Sequence, residues 1–200
     1  KSCAYVSMIL YACSIYRLID LVERGSLGEI LSFVFIPFVI LGIYEILYGD
    51  FKNSFYLTIG ISGLCLSHVI SFYLMCLFIV LLVLLNIKCL KDKHRLTHFV
   101  LNIIFSMFIT IHFWLTMLEQ IFLDEFNFLS NSRIITNVVP FFALFMDFPI
   151  IYFYDEWFPS GIGLVYYIGI ILYIKFFKKN NFEIKDKFLL SLFILGILSI

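Results

Sequence analysis

The 200-residue chain is 62% hydrophobic and 20% aromatic, has only 14% charged residues and carries a formal net charge of zero. Its mean hydropathy is +1.04, whereas soluble domains are about one-quarter charged. This excludes a cytosolic globular enzyme, a disordered regulator and a nucleic-acid binder, which would need a basic face, and leaves an all-α polytopic membrane protein.

The chain starts at Lys1, not Met, and is still apolar over Leu192–Ile200. It therefore reads as a fragment of a longer membrane protein, with one transmembrane domain over residues 1–200. A bilayer core of about 30 Å needs about 20 apolar residues as helix. The first candidate crossing is Ser2–Tyr16; Lys1 to Tyr16 mimics a signal peptide, but Tyr16-Arg17-Leu18 is no small-residue cleavage site. Residues 17–29 then form an outer interfacial segment that carries Arg17, Asp20, Glu23, Arg24 and Glu29. As a helix, it would place Arg17, Asp20 and Arg24 on one face and Leu18, Leu21 and Val22 on another. That pattern suits a helix lying on a membrane. Gly25 and Gly28 would turn the chain into the next crossing, with Glu29 near its N-terminus, where negative charge is favoured.

The second crossing is Ile30–Tyr48, containing Pro37. The apolar run Ser54–Ile87 would be about 51 Å long as one helix, too long without severe tilt. The polar pair Ser67-His68 interrupts it, so it splits into a hairpin of Ser54–Leu66 and Val69–Ile87. Gly60 and Gly63 allow the short first arm to pack closely. Thr97–Leu118 is the next crossing. Gly161–Phe177 and Phe188–Ile200 complete a set of about seven. Residues 119–160 form an outer loop or re-entrant segment, because Ile134–Tyr154 is apolar but holds Pro140, Asp147 and Pro149.

Lys and Arg set the orientation. The basic loops 88–95 and 175–187 face the cytoplasm, so the chain is a multipass protein of the cell membrane. The hairpin and the single long helix leave equal numbers of basic residues inside. Helix length and the Ser67-His68 break decide between them.

No phosphate-binding, dinucleotide, nucleophile-elbow or zinc-protease motif occurs. Cys3, Cys13, Cys65, Cys76 and Cys89 lie in apolar surroundings without a C-x-x-C pair, which favours packing roles. His94 and His98 share a helical face beside basic residues but lack a nearby third metal ligand. No metal and no cofactor is expected. Two arginines at a membrane edge suit a lipid-carrier phosphate, which they grip through bidentate hydrogen bonds. Arg17 and Arg24 are therefore candidate binding residues, with Asp20, Glu23 or Glu29 to orient them or bind sugar hydroxyls. His68 and Glu119 each end an apolar run at the same face. A phosphate contact or proton transfer suits His68, and a carboxylate at a cavity mouth suits Glu119. Lipid anchoring, a turn cap and a plain helix-end charge are the simpler alternatives.

The run Y-R-L-I-D-L-V-E-R-G-S-L-G-E, the helix with Pro37, L-S-H at 66–68 and W-L-T-M-L-E-Q at 114–120 resemble a set of bacterial multipass membrane proteins. That set carries the label "6-pyruvoyl-tetrahydropterin synthase-related" and is close to the YfhO-like membrane proteins and the GT-C glycosyltransferases. The similarity covers roughly residues 5–130. It implies a GT-C-like fold and transfer of a sugar from a polyprenyl-phosphate donor at the outer face, onto a cell-envelope glycan or lipid. The family's acidic catalytic residue would precede residue 1, so the catalytic base is unknown here. The expected partners are membrane lipids and a polyprenyl-phosphate-linked sugar, with no nucleic acid. The alternatives are a flippase or transporter of lipid-linked saccharides, or a non-catalytic membrane subunit of an envelope assembly complex.

Overall fold

The computed structural model describes residues 5, 8–9, 11–14, 17–18, 20–123, 152–153, 156–157 and 188. The chain divides into two compact units, Lys1–Leu27 with Phe128–Phe182, and Gly28–Asn127 with Glu183–Ile200. The first unit contains a π-helical turn at Asp20–Arg24 and a short antiparallel ribbon of β1 (Tyr152–Phe153) and β2 (Glu156–Trp157). The rest of the 134–154 stretch, most of Ser2–Tyr16, and the expected crossings Gly161–Phe177 and Phe188–Ile200 lie outside the described residues, Phe188 excepted.

Five helices with described ends follow in order: α1 (Leu27–Tyr48), α2 (Tyr56–Ser67), α3 (Val69–Leu85), α4 (Lys93–Ile109) and α5 (Ile111–Leu123). The long elements are thus all helical. Among the described residues, α1 alone is long and apolar enough to cross a membrane as a single helix. The pair α4 and α5 passes the same test only across a 66° bend, and α2 and α3 are shorter apolar helices.

Side-chain pairs fix the directions of the second unit. A Cβ at Gly60 would stand 2.7 Å from the Val39 backbone nitrogen, and one at Gly28 would stand 2.7 Å from the Ser67 carbonyl oxygen. A Cβ at Gly42 would collide with the Leu57 backbone, and one at Gly63 with the Phe35 ring. Rising numbers on α1 meet falling numbers on α2, so these two helices are antiparallel. Ser32 meets Ser71 and Tyr48 meets Asn86, so α1 and α3 are parallel. The chain therefore reverses at His68, and the run 54–87 is two antiparallel helices. His68 leaves helical geometry at φ −152°, ψ 110°. It closes both helices: its N–H donates to Leu64 O at 3.0 Å, and its own carbonyl accepts from Phe72 N at 3.0 Å.

Close glycine approach lets α1 and α2 gain dispersion contacts along their backbones. The core is apolar, with Val39, Ile43 and Ile46 of α1 packed with Leu57 and Leu64 of α2 and Leu82 of α3. The middle helix α2 is buried on most of its circumference, whereas α3 buries only Phe72, Ile79 and Leu82.

Helix α4 reverses the soluble pattern. Its buried residues are Asn102 and Ser106, followed after its end by buried Thr110. Its exposed residues include Leu101, Ile104, Phe105, Met107 and Phe108. A polar stripe inside and an apolar face outside is the arrangement favoured when the surrounding solvent is a bilayer.

The expected crossing Thr97–Leu118 is not one helix. It begins earlier, at Lys93, and breaks at Thr110 into α4 and α5. Thr110 Oγ1 donates to Ser106 O at 2.9 Å, and Ser106 Oγ donates to Ile103 O at 2.7 Å. Such side-chain bonds compete with the backbone ladder and bend helices. Gly28 also departs from expectation. It lies inside the first turn of α1, and the left-handed turn before that helix is made by Gly25 alone, at φ +59°.

At the other end of the bundle Arg95 ties α4 to α1. Its Nη1 donates to Ile46 O at 2.7 Å, which satisfies one of the carbonyls a helix C-terminus leaves open. The guanidinium also lies 5.2 Å from the centre of the Phe51 ring. His98 stacks on the same ring, with centroids 4.5 Å apart and planes at 10°. Phe51 has φ 66°, a conformation that costs an L-residue about 1–2 kcal/mol. The ring's two partners offset that cost.

Candidate functional site

The turn at His68 places three helix ends together: the start of α1, the end of α2 and the start of α3. Gly28 has no side chain to hold the first turn of α1 away from Ser67. Glu29 follows it, half-buried. One turn on, Ser32 is fully buried, and its hydroxyl donates to Glu29 O at 2.6 Å. Ser32 Oγ lies 3.3 Å from Ser71 Oγ, and Ser71 Oγ lies 2.8 Å from His68 Nδ1. The Ser71 backbone N–H also donates to His68 Nδ1, at 3.4 Å.

This network assigns Nδ1 as the acceptor, so in the neutral ring the proton sits on Nε2. A half-buried imidazole held from one side in this way presents an N–H donor on the other. The series Glu29 carbonyl, Ser32, Ser71, His68 thus joins the start of α1 to the start of α3. It is a preorganised polar cluster at the end of an apolar bundle.

The same end carries the bend into α5. Trp114 Nε1 donates to Thr110 Oγ1 at 3.1 Å, and the indole packs against Phe72 with ring centroids 5.5 Å apart. Glu119 lies farther along α5 and is exposed. No hydrogen bond or ion pair among the described residues links it to Glu29 or His68.

Arg17, Asp20 and Arg24 belong to the other compact unit. Arg24 Nη1 pairs with Asp20 Oδ1 at 2.7 Å, one helical turn apart. The Asp20 side chain is fully buried and that of Arg24 is 47% exposed. The Arg17 guanidinium lies 5.3 Å from the centre of the Tyr11 ring. The six sequence-predicted residues therefore fall into a His68 cluster at Glu29, an Asp20–Arg24 pair, Arg17 at Tyr11, and Glu119 on α5.

Sequence reasoning missed Ser32 and Ser71, which hold His68. It also missed the polar seam of α2 and α4. Thr58 Oγ1 donates to Asn102 Oδ1 at 2.7 Å, and Asn102 Nδ2 donates to His98 O at 2.8 Å. One turn on, Ser62 is buried, and its hydroxyl has no hydrogen-bond partner among the described residues. The signal was present as Thr58/Ser62 and Asn102/Ser106/Thr110, polar residues at intervals of four in apolar runs. Among the described residues, no three His, Cys, Asp or Glu side chains cluster closely enough to hold a metal ion.

No family model matches the chain, and neither a curated protein nor a solved structure does.

Proposed function

We propose that the chain is a multipass membrane protein that binds a lipid-phosphate headgroup at its His68 end. In this reading it works as a GT-C-like glycosyltransferase using a polyprenyl-phosphate-linked sugar. Two features support the membrane setting: the length and apolar character of α1, and the inside-out pattern of α4. The observation that carries the site is the Ser32–Ser71–His68 relay beside Glu29, which aims an imidazole N–H from the rim of an apolar bundle.

In this mechanism a carboxylate takes the proton of the acceptor hydroxyl. The acceptor oxygen bonds to the anomeric carbon as the bond from that carbon to the phosphate oxygen breaks. The electron pair goes to the leaving phosphate. The His68 N–H stabilises its growing charge. Glu29 and Glu119 serve the sugar hydroxyls. A flippase would carry charges along a path through the bundle. The buried polar side chains described in the second unit are Ser, Thr and Asn, which weighs against that alternative.

The test is binding of a polyprenyl phosphate, with the phosphate-free polyprenol as control, by the full-length protein in nanodiscs. Losing one charged hydrogen bond costs about 1.5–3 kcal/mol, so His68→Ala should weaken phosphate binding about tenfold or more. Equal affinity for the phosphate and the free alcohol would overturn the proposal.

A further inference from the structure

Helix α5 is not explained by the bundle. It has no buried residue, and it leaves α4 at 66°. Thirteen residues of helix span about 20 Å, less than the roughly 30 Å of a hydrocarbon core. At 100° per residue its side chains sort onto three faces. Phe113, Trp114 and Met117, all half-buried, lie on the side that meets the bundle at Phe72. Ile111, Leu115, Leu118 and Phe122 form an exposed stripe at intervals of four, three and four. His112, Thr116, Glu119 and Gln120 fill a third sector beside the stripe, with exposed Leu123 among them.

Helix α4 likewise leaves apolar Phe105, Phe108 and Ile109 exposed. A helix with a 66° turn away from the direction of α4, an uncovered apolar stripe and an adjoining polar sector matches the boundary between acyl chains and water. We propose that α5 is an in-plane membrane helix, with Ile111, Leu115, Leu118 and Phe122 seated in the outer acyl region and Thr116, Glu119 and Gln120 turned to water. This rests on the membrane reading of the bundle but not on the headgroup site. It replaces the single crossing Thr97–Leu118 with a crossing that ends at Thr110. Glu119 then lies on the membrane surface as part of a helix that flanks the His68 end.

The test uses single cysteines in a cysteine-free background of the full-length protein, carrying a fluorophore, in bilayers of phosphatidylcholine and phosphatidylglycerol. Leu115→Cys and Leu118→Cys sit on the stripe, Thr116→Cys and Gln120→Cys on the polar side, and Leu77→Cys on the exposed middle of α3. Nitroxides are placed on the lipid near the headgroup or at the acyl-chain end. The expected result is stronger quenching of positions 115 and 118 by the shallow nitroxide than by the deep one, by about twofold or more, given a seat about 5–10 Å into the boundary. Positions 116 and 120 should react with a membrane-impermeant maleimide. Deepest quenching at the chain end for all four positions would mean that α5 continues across the bilayer, and would overturn the proposal. So would unquenched 115 and 118 beside a quenched Leu77→Cys, which would place a protein partner or water on the stripe. An unquenched Leu77→Cys would remove the membrane reading itself and α5's role with it.

Discussion

Thr58 Oγ1 donates to Asn102 Oδ1 at 2.7 Å across the seam between α2 and α4, with both residues buried. Thr58→Val leaves the buried Asn102 Oδ1 without this donor, whereas Asn102→Ala leaves Thr58 Oγ1 the Asn102 backbone carbonyl at 3.1 Å. Thr58→Val should therefore destabilise the protein by about 1–3 kcal/mol, and Asn102→Ala by less. Replacing both partners with apolar residues, Thr58→Val with Asn102→Leu, should cost less than the sum of the single changes. A coupling of about 0.6–1.7 kcal/mol is expected for such a bond within a membrane protein. Unfolding in mixed micelles, run as a double-mutant cycle, measures it. Additive single effects would show that the bond carries no specific energy.

Two glycines should fail for different reasons. Gly60 lies against the Val39 backbone, so Gly60→Val forces α1 and α2 apart and should cost about 1–3 kcal/mol or more as overpacking. Gly25 has nothing within 4 Å of a Cβ but holds φ +59°. Gly25→Ala should cost about 1–2 kcal/mol through backbone strain alone, and Gly25→Asn should recover part of that loss, since Asn tolerates this region. Melting temperatures of the three variants in one detergent separate the two causes. If Gly25→Asn melts no higher than Gly25→Ala, strain is not the reason for the glycine.

The helical class was legible because the composition admits little else, and the hairpin was legible because Ser67-His68 is polar inside a run too long for one crossing. Gly60 and Gly63 were legible as close-packing positions because small residues in an apolar helix have few other uses. The bend at Thr110 was not legible. No proline or glycine marks it, and it arises from hydroxyls that bond back to the helix at Ser106 and Thr110. The site was half-legible. Glu29 and His68 stand out as polar residues ending apolar runs, but the serines that connect them read as ordinary helix residues until α1 and α3 lie side by side.

Arg95 is expected to matter more than the other basic residues of its loop. Its bond to Ile46 O and its position over Phe51 are each lost in Arg95→Ala. A charged hydrogen bond at about 1.5–3 kcal/mol and a cation–π contact at about 0.5–1 kcal/mol set the scale. Because the site is partly exposed, a loss of about 2 kcal/mol is expected. Arg95→Lys keeps a donor but not the planar stacking, and should fall between wild type and Arg95→Ala. Lys93→Ala, at an exposed site, should change stability by less than about 0.5 kcal/mol. Equal melting temperatures for Arg95→Ala and Lys93→Ala would contradict the capping role.

The antiparallel order of α1 to α4 predicts which loops share a side of the membrane. Arg95 meets Ile46 and His98 meets Phe51, so the 49–55 turn and the 86–98 segment lie at one end of the bundle. Gly28 meets Ser67, so the start of α1 and the His68 turn lie at the other. The first end exposes Lys52, Lys88, Lys91 and Lys93, the bias of a cytoplasmic face. Helix α2 has only 12 residues, about 18 Å of helix. The 49–55 turn is ordered by Ser54 N to Phe51 O at 3.1 Å and Leu57 N to Ser54 O at 3.0 Å, and Ser54 is buried. In a cysteine-free background of the full-length protein, Lys52→Cys and Lys91→Cys should react with an impermeant maleimide only when the cytoplasmic face is open. Ser26→Cys should react from the outer face of intact cells. Reaction of Ser26→Cys and Lys91→Cys from the same side would be incompatible with a bundle in which α1 and α3 both cross in one direction and α2 and α4 return.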